Sequence, residues 1–238
     1  MNCKQLLFCS GLYLYSNSIN CQPIIPEPYT NPPLYKAPDI LPPLTQELPS
    51  NHSCGGPIDI MFMFDTTASM EFQIESAKKD GESLLRTLAK ELPNTRFAIS
   101  KVEDKPEWGG SPSDIAYAML SDFTTDIGKT TATINNLTLG AGGDSPEAFP
   151  YALRMASNEK SWRSDAHRIV VLIADNESRS SSQLEEAIQD ANYSLIVLST
   201  ARYFDYWKKF NPNVSTIGSN ESFAESIIES IRRFCHYS

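Results

Sequence analysis

A chain of 238 residues is long enough for one sizeable domain with appendages and short for two. Hydrophobic residues at 41% and charged residues at 21% match ordinary globular usage, which excludes wholesale disorder and collagen-like or coiled-coil architectures. Twenty Lys and Arg against 29 Asp and Glu give a net charge of −9, the wrong sign for a nucleic acid or an anionic membrane surface.

The N-terminus carries one early cation, Lys4, then a mostly apolar run over 6–15, then the small residues Ser16 and Ser18 where a signal peptidase reads. Residues 1–18 therefore read as a signal peptide, and the protein is expected to be secreted. The run is too short to cross a bilayer core of about 30 Å, and no other segment is longer, so no membrane span is expected. Residues 19–53 change character, with nine of the 16 prolines between Pro23 and Pro49. Each proline removes a backbone donor and fixes its own φ, so this stretch reads as an extended linker or stalk. Residues 54–238 form the folded domain.

Cysteine use fits export. Cys3 and Cys9 leave with the signal peptide, whereas Cys54 stands just before the first core strand and Cys235 ends the last helix. If the fold brings its ends together, these two pair and close a very long loop. Cys21 is then left over, free or available for a covalent dimer. Sequons at Asn51, Asn136, Asn192, Asn213 and Asn220 are glycosylation candidates, and a sixth, at Asn176, falls within an acidic cluster.

In chain order, 58–64 is a near-continuous apolar run suited to a central parallel strand covered on both faces. Helical spacing of Ile74, Ala77, Leu84, Leu85 and Leu88 follows over 70–92. Strands are expected at 97–102, 116–120, 169–174, 194–199 and 214–217, and helices at 127–137, 146–157, 182–191, 201–210 and 223–234. The alternation predicts an α/β fold: an open, doubly wound, mostly parallel six-stranded sheet with helices on both faces.

Ligands of such sheets bind beyond the carboxyl ends of the strands. Three polar clusters fall there: 65–69, with Asp65, Thr67 and Ser69; 140–147, with Asp144 and Glu147; and 175–177, with Asp175. Helix capping explains Asp65 and Ser69 taken singly. Three oxygen-rich clusters without His or Cys suit a hard cation such as Mg²⁺ or Mn²⁺.

At these residues the chain resembles the von Willebrand factor A domains. Asp65-x-Thr67-x-Ser69-Met70 is similar to their metal-ion-dependent adhesion motif, with Thr67 where Ser is usual. The turn at 102–106, the Asp144-Ser145-Pro146-Glu147 loop and the Trp162-to-Ala166 segment resemble those of integrin β subunits, and the likeness runs over about 58–234. The resemblance implies a Mg²⁺ (or Mn²⁺) held by Asp65, Thr67, Ser69 and Glu147, with Asp175 in or just outside its shell. The open coordination position would take a carboxylate of an extracellular protein ligand.

It further implies a second cation site, suited to Ca²⁺, drawing on Asp104 and Asp144 with Glu147, although Gly142 stands where that site usually has Asn. A regulatory cation site is expected to be lost, because Phe72 and Gln73 replace two acids. No enzyme is expected: Thr67 stands where an aspartyl-phosphate mechanism needs a second acid, and no Gly-x-Ser-x-Gly nucleophile elbow occurs. The alternative to an adhesion module is a structural or assembly module with a vestigial metal site, joined to others through Cys21 and the stalk.

Overall fold

The computed structural model describes residues 54–142, 146–217 and 222–236. Residues 1–18, read as a signal peptide, and 19–53, read as a linker, lie outside the described residues, as do Cys21, Asn51, Asp144 and Asn220.

Strand β1 (Ile58–Asp65) is buried along its whole length, as the apolar run requires. Its side chains alternate between two cores. Ile58, Ile60, Phe62 and Phe64 face a layer that includes α1 (Glu71–Glu91), α2 (Ile127–Asn135) and α6 (Phe223–His236). Met61 and Met63 face the opposite layer of α3 (Phe149–Ser157), α4 (Ser181–Gln189) and α5 (Phe204–Lys208). A period of two along a strand produces this division, and a helical layer on each face explains why almost no polar residue interrupts it.

β1 pairs in parallel with β2 (Thr95–Val102) on one side and β4 (His167–Ala174) on the other. β5 (Ser194–Ser199) and β6 (Val214–Thr216) continue the parallel sheet beyond β4, while β3 (Ala118–Thr124) runs antiparallel at the far edge. The strand order is β3-β2-β1-β4-β5-β6. Chain direction around the sheet reverses between β1 and β4, the topological switch point at which open α/β sheets bind ligands. The six-stranded, mostly parallel sheet is the fold expected from the sequence.

Three elements differ most from expectation in their bounds. β3 begins at Ala118 and continues to Thr124. As an edge strand it buries only Ser121 and Phe123, so its hydrophobic signal is weak and Leu120 points outward. α3 begins at Phe149, because the backbone of Glu147 is engaged in a parallel bridge with Ser178. α5 shortens to Phe204–Lys208.

At the base of the sheet Cys54 and Cys235 are disulfide-bonded, closing a loop of 181 residues in sequence separation. Asp59, fully buried in β1, accepts from Arg96 Nε and Nη2 at 2.9 and 2.6 Å, and from Arg163 N and Nε at 2.8 and 2.9 Å. Arg163 also donates to the carbonyls of Ile58 and Asn94, tying the Trp162 segment to the start of β1. Among the described residues no helix is long and apolar enough to cross a membrane.

Candidate metal centre

Parallel register brings the carboxyl ends of four strands together. Asp65 lies opposite Val102, Phe64 opposite Ile173, and Ala174 opposite Ser199, so Asp65, Glu103, Asp175 and Thr200 emerge at one edge. Thr67, Ser69, Glu147, Asp175, Arg202 and Tyr203 contribute to the walls of a cleft of about 490 Å³ at this edge.

The strand-end loop is organised by Asp65. Its Oδ1 accepts from Thr67 N at 2.9 Å and from Thr67 Oγ1 at 2.7 Å. These bonds turn the chain sharply out of β1 before a short 3-10 turn at Ala68–Met70 leads into α1. Neither Thr67 nor Met70 caps a helix with its side chain, and Ser69 Oγ instead donates to Asp175 Oδ1 at 3.0 Å. Thr67 Oγ1 and Ser69 Oγ are 3.4 Å apart. The two hydroxyls thus face each other beneath the cleft instead of serving the helix.

Glu147 enters from a different loop. Its backbone N–H donates to Glu177 O at 3.1 Å and its carbonyl accepts from Arg179 N at 3.0 Å, and Asn176 Nδ2 donates to its Oε1 at 3.3 Å. The 176–178 turn is itself held from below by α5. Trp207 Nε1 donates to Asn176 O at 3.1 Å, and Tyr206 Oη accepts from Ser178 N at 3.1 Å. Trp207 is fully buried and meets Phe149 edge-on at 5.3 Å. Tyr206 and Trp207 of α5 therefore support the site from beneath.

Two glycines let the third loop approach. A Cβ on Gly140 would lie 2.6 Å from Glu103 Oε1, too close for any side chain, and Gly140 N donates to Thr66 O at 2.7 Å. Gly142 adopts φ +61°, with its Cβ direction facing Thr67.

Electrostatically the site is short of positive charge. Asp65 Oδ2 and Glu147 Oε2 are buried without a hydrogen-bond partner. Burial pushes the Asp65 carboxyl up to about 7, partly offset by its bonds to Thr67, with the charges of Asp175 and Glu103 adding to the rise. Burial likewise raises Glu147 to about 8, helped by the negative charges of Asp65, Asp104 and Asp175. Asp175 is also raised, first by burial, against the stabilising bond from Ser69 and the charge of Arg202. Buried anionic oxygens left unpaired are costly, and a small divalent cation coordinated by oxygen relieves that cost.

Among the described residues no three carboxylates, imidazoles or thiols converge as a ready-made metal cluster. What converges is a mixed set of carboxylates and hydroxyls, the donors a hard cation accepts.

Asp104 is fully buried at the end of β2, and its Oδ2 is ion-paired with Arg179. Of the two residues replacing acids at the start of α1, Phe72 is 56% exposed and Gln73 is buried. Asn136 and Asn192 are exposed, Asn213 is half-buried, and Asn176 is buried against Glu147. Three participants went unread in the sequence: Glu103, Asn176 as a partner of Glu147, and Arg179. Glu103 braces the site, accepting from Thr66 Oγ1 at 2.8 Å, Lys101 Nζ at 2.7 Å and Ile115 N at 2.7 Å. Glu103 and Asn176 fall within the marked stretches 102–106 and 175–177, but no local pattern reveals their roles, since their partners lie in other strands and loops.

Comparison with known proteins agrees with this architecture. Integrin beta-6 of Homo sapiens is 26% identical over 143 residues, covering 51% of this chain and 18% of that protein, so the chain spans less than a fifth of the relative it matches. A von Willebrand factor type A structure from Catenulispora acidiphila superimposes with a TM-score of 0.57 at 14% identity, over 76% of this chain and 43% of that one. Proximal thread matrix protein 1 from the mussel byssus does so with a TM-score of 0.59 at 13% identity, over 77% and 49%. The von Willebrand factor type A domain family model matches residues 59–232, nearly the whole folded part. The chain belongs to the von Willebrand factor type A domain family.

Proposed function

We propose that this protein is a secreted adhesion or ligand-binding module that holds Mg²⁺ or Mn²⁺ at the head of β1 and uses it to bind an acidic group of an extracellular protein. Asp65, Thr67, Ser69 and Glu147 would hold the ion, with Asp175 acting through Ser69 or a water. The observation that carries this reading is the pair of buried, partnerless carboxylate oxygens, Asp65 Oδ2 and Glu147 Oε2, beside two hydroxyls in an open cleft. A bound ion would supply a Lewis-acidic position for an incoming carboxylate. Thr67 and Ser69 supply neutral oxygens, so the two carboxylates Asp65 and Glu147 would only neutralise the ion and leave it electrophilic enough to accept an incoming anion. Arg202, on the cleft wall, adds a cation for the same purpose.

Binding, not catalysis, fits this chemistry. Its strongest groups are acceptors without an adjacent nucleophile and base pair. Secretion through residues 1–18 and display on the proline-rich stalk of 19–53 would place the domain where such partners occur.

The test is calorimetric titration of Mg²⁺ and Mn²⁺ into the protein and into Asp65→Ala, with circular dichroism as the folding control. Saturable cation binding that disappears in Asp65→Ala is expected. Equal affinity in both proteins, or none in either, would overturn the reading in favour of an assembly module with a vestigial site.

A further inference from the structure

The second cation implied by the family resemblance meets an obstacle in this chain. Asp104, its first expected ligand, is fully buried, with Oδ1 accepting from Lys105 N at 2.9 Å and Oδ2 ion-paired with Arg179. Arg179 is fixed at both ends. Its backbone N–H donates to Glu147 O at 3.0 Å within the parallel bridge between Glu147 and Ser178, while its guanidinium reaches Asp104 at the end of β2. One arginine therefore joins the loop carrying Glu147 to the strand end carrying Asp104.

We propose that Arg179 is a built-in replacement for the second cation, a tethered positive charge on Asp104 that leaves the protein with a single exchangeable divalent ion. A guanidinium does not lose its proton in proteins, so this charge is permanent. A divalent ion sharing Asp104 Oδ2 would stand beside a fixed like charge and be repelled. Tied by its backbone to Glu147 and by Nη2 to Asp104, Arg179 also performs the mechanical task of a bridging ion, joining segments whose positions are 75 residues apart. This inference rests on the reading of the head of β1 as the first cation site, and it yields a protein whose cation requirement is met by Mg²⁺ without Ca²⁺.

The experiment compares the full chain with Arg179→Gln and Asp65→Ala. Bound Mn²⁺ is counted by electron paramagnetic resonance, and the thermal midpoint is followed as Ca²⁺ is added in saturating Mg²⁺. The expected results are one Mn²⁺ in the wild type and two in Arg179→Gln. The midpoint should be indifferent to Ca²⁺ in the wild type and raised by Ca²⁺ in Arg179→Gln, because a ligand bound only to the folded state stabilises it. Should Arg179→Gln be unfolded in chelator, recovery of its structure by Ca²⁺ supports the proposal and failure to recover counts against it. Two ions in the wild type, or one ion and no calcium response in a folded Arg179→Gln, would overturn it. A wild type that binds no ion while Arg179→Gln gains one would sink the adhesion site and leave the role of Arg179 standing.

Discussion

Strand β1 carries two aspartates, Asp59 near its start and Asp65 at its end, both without solvent exposure and both on the face shared with Met61 and Met63. At the base, burial alone would raise the Asp59 carboxyl. Hydrogen bonds from Arg96 and from the backbone and side chain of Arg163 outweigh it and hold Asp59 below the ordinary carboxylate range. At the head no arginine reaches Asp65, and burial drives it up to about 7. The same residue in the same strand is a structural anchor where the protein supplies the counter-charge, and under the proposed function it is a receptor for a mobile ion where the protein withholds one.

The largest test of this contrast acts at the base. Reducing the Cys54–Cys235 bridge frees a loop of 181 residues in sequence separation, worth about 5 kcal/mol in the chain-entropy model. Chemical denaturation should show most of that loss, with Mg²⁺ affinity little changed. Asp59→Ala comes next. It strands Arg96 and Arg163 in a half-buried position, and breaking such a pair costs about 3 to 5 kcal/mol. Asp65→Ala, at equal burial, should leave the metal-free protein as stable as before or more so, since it removes one of several carboxylates that repel each other. If the two substitutions destabilise alike in chelator, the distinction between the two ends of β1 is wrong.

Acid and base should attack opposite ends. A carboxyl with a raised pKa keeps its proton in the folded state after the unfolded chain has lost it. Asp65 and Glu147 therefore favour unfolding progressively as pH rises from about 4 to about 8. Asp59 is depressed, so its contribution is complete above the unfolded value near 4 and is lost as pH falls below it. In chelator, denaturation midpoints should fall between pH 5 and pH 8 by on the order of 3 kcal/mol of stability, counting the coupled pair Asp65 and Glu147 as less than two independent groups. Saturating Mg²⁺ should remove most of that alkaline limb and leave the acid limb below pH 4 untouched. An alkaline limb that ignores Mg²⁺ would detach the raised carboxyls from the cation.

The base and the head were unequally legible in the sequence. β1 announced itself because both its faces are covered, and the residues of the head lie next to it in one short stretch, 65–69. Glu147 and Asp175 were visible because each follows a recognisable loop or strand. β3 was misplaced since an edge strand buries only alternate residues on one face and leaves Leu120 exposed, so the apolar cluster at 116–120 marked its beginning poorly. α3 starts later than the proline at 146 suggests, because Glu147 spends its backbone on a bridge to Ser178. Arg179, Glu103 and the Asp59 network were out of reach for a different reason. Asp59 and Arg163 are separated by 104 positions and Asp104 and Arg179 by 75, and only the sheet register brings them into contact.

The smallest effect expected is also the one that separates the two kinds of oxygen at the head. Thr67 Oγ1 is held at 2.7 Å by Asp65 Oδ1, and Ser69 Oγ at 3.0 Å by Asp175 Oδ1, so each hydroxyl is positioned by a carboxylate on its own side of the cleft. Thr67→Ala or Ser69→Ala removes one neutral oxygen and no charge, and a water can take the vacant place on an ion of this kind. Each should weaken Mg²⁺ binding by roughly tenfold, about 1.4 kcal/mol, where Asp65→Ala abolishes it. Thr67→Ala has a second consequence, at Asp65 itself. Asp65 Oδ1 loses its hydroxyl donor but keeps the bond from the Thr67 backbone, so in chelator the Asp65 carboxyl should titrate higher still, and Mg²⁺ affinity should depend more steeply on pH near 7 than in the wild type. Ser69→Ala removes the bond that lowers Asp175 instead, a carboxyl in or just outside the shell, so its steepening of the pH dependence should be the smaller of the two. Mg²⁺ titrations of both variants at pH 6, 7 and 8 read the difference directly. Identical pH profiles for the two would mean that the Thr67 hydroxyl does not set the charge of Asp65, and that the turn out of β1 is held by its backbone bond alone.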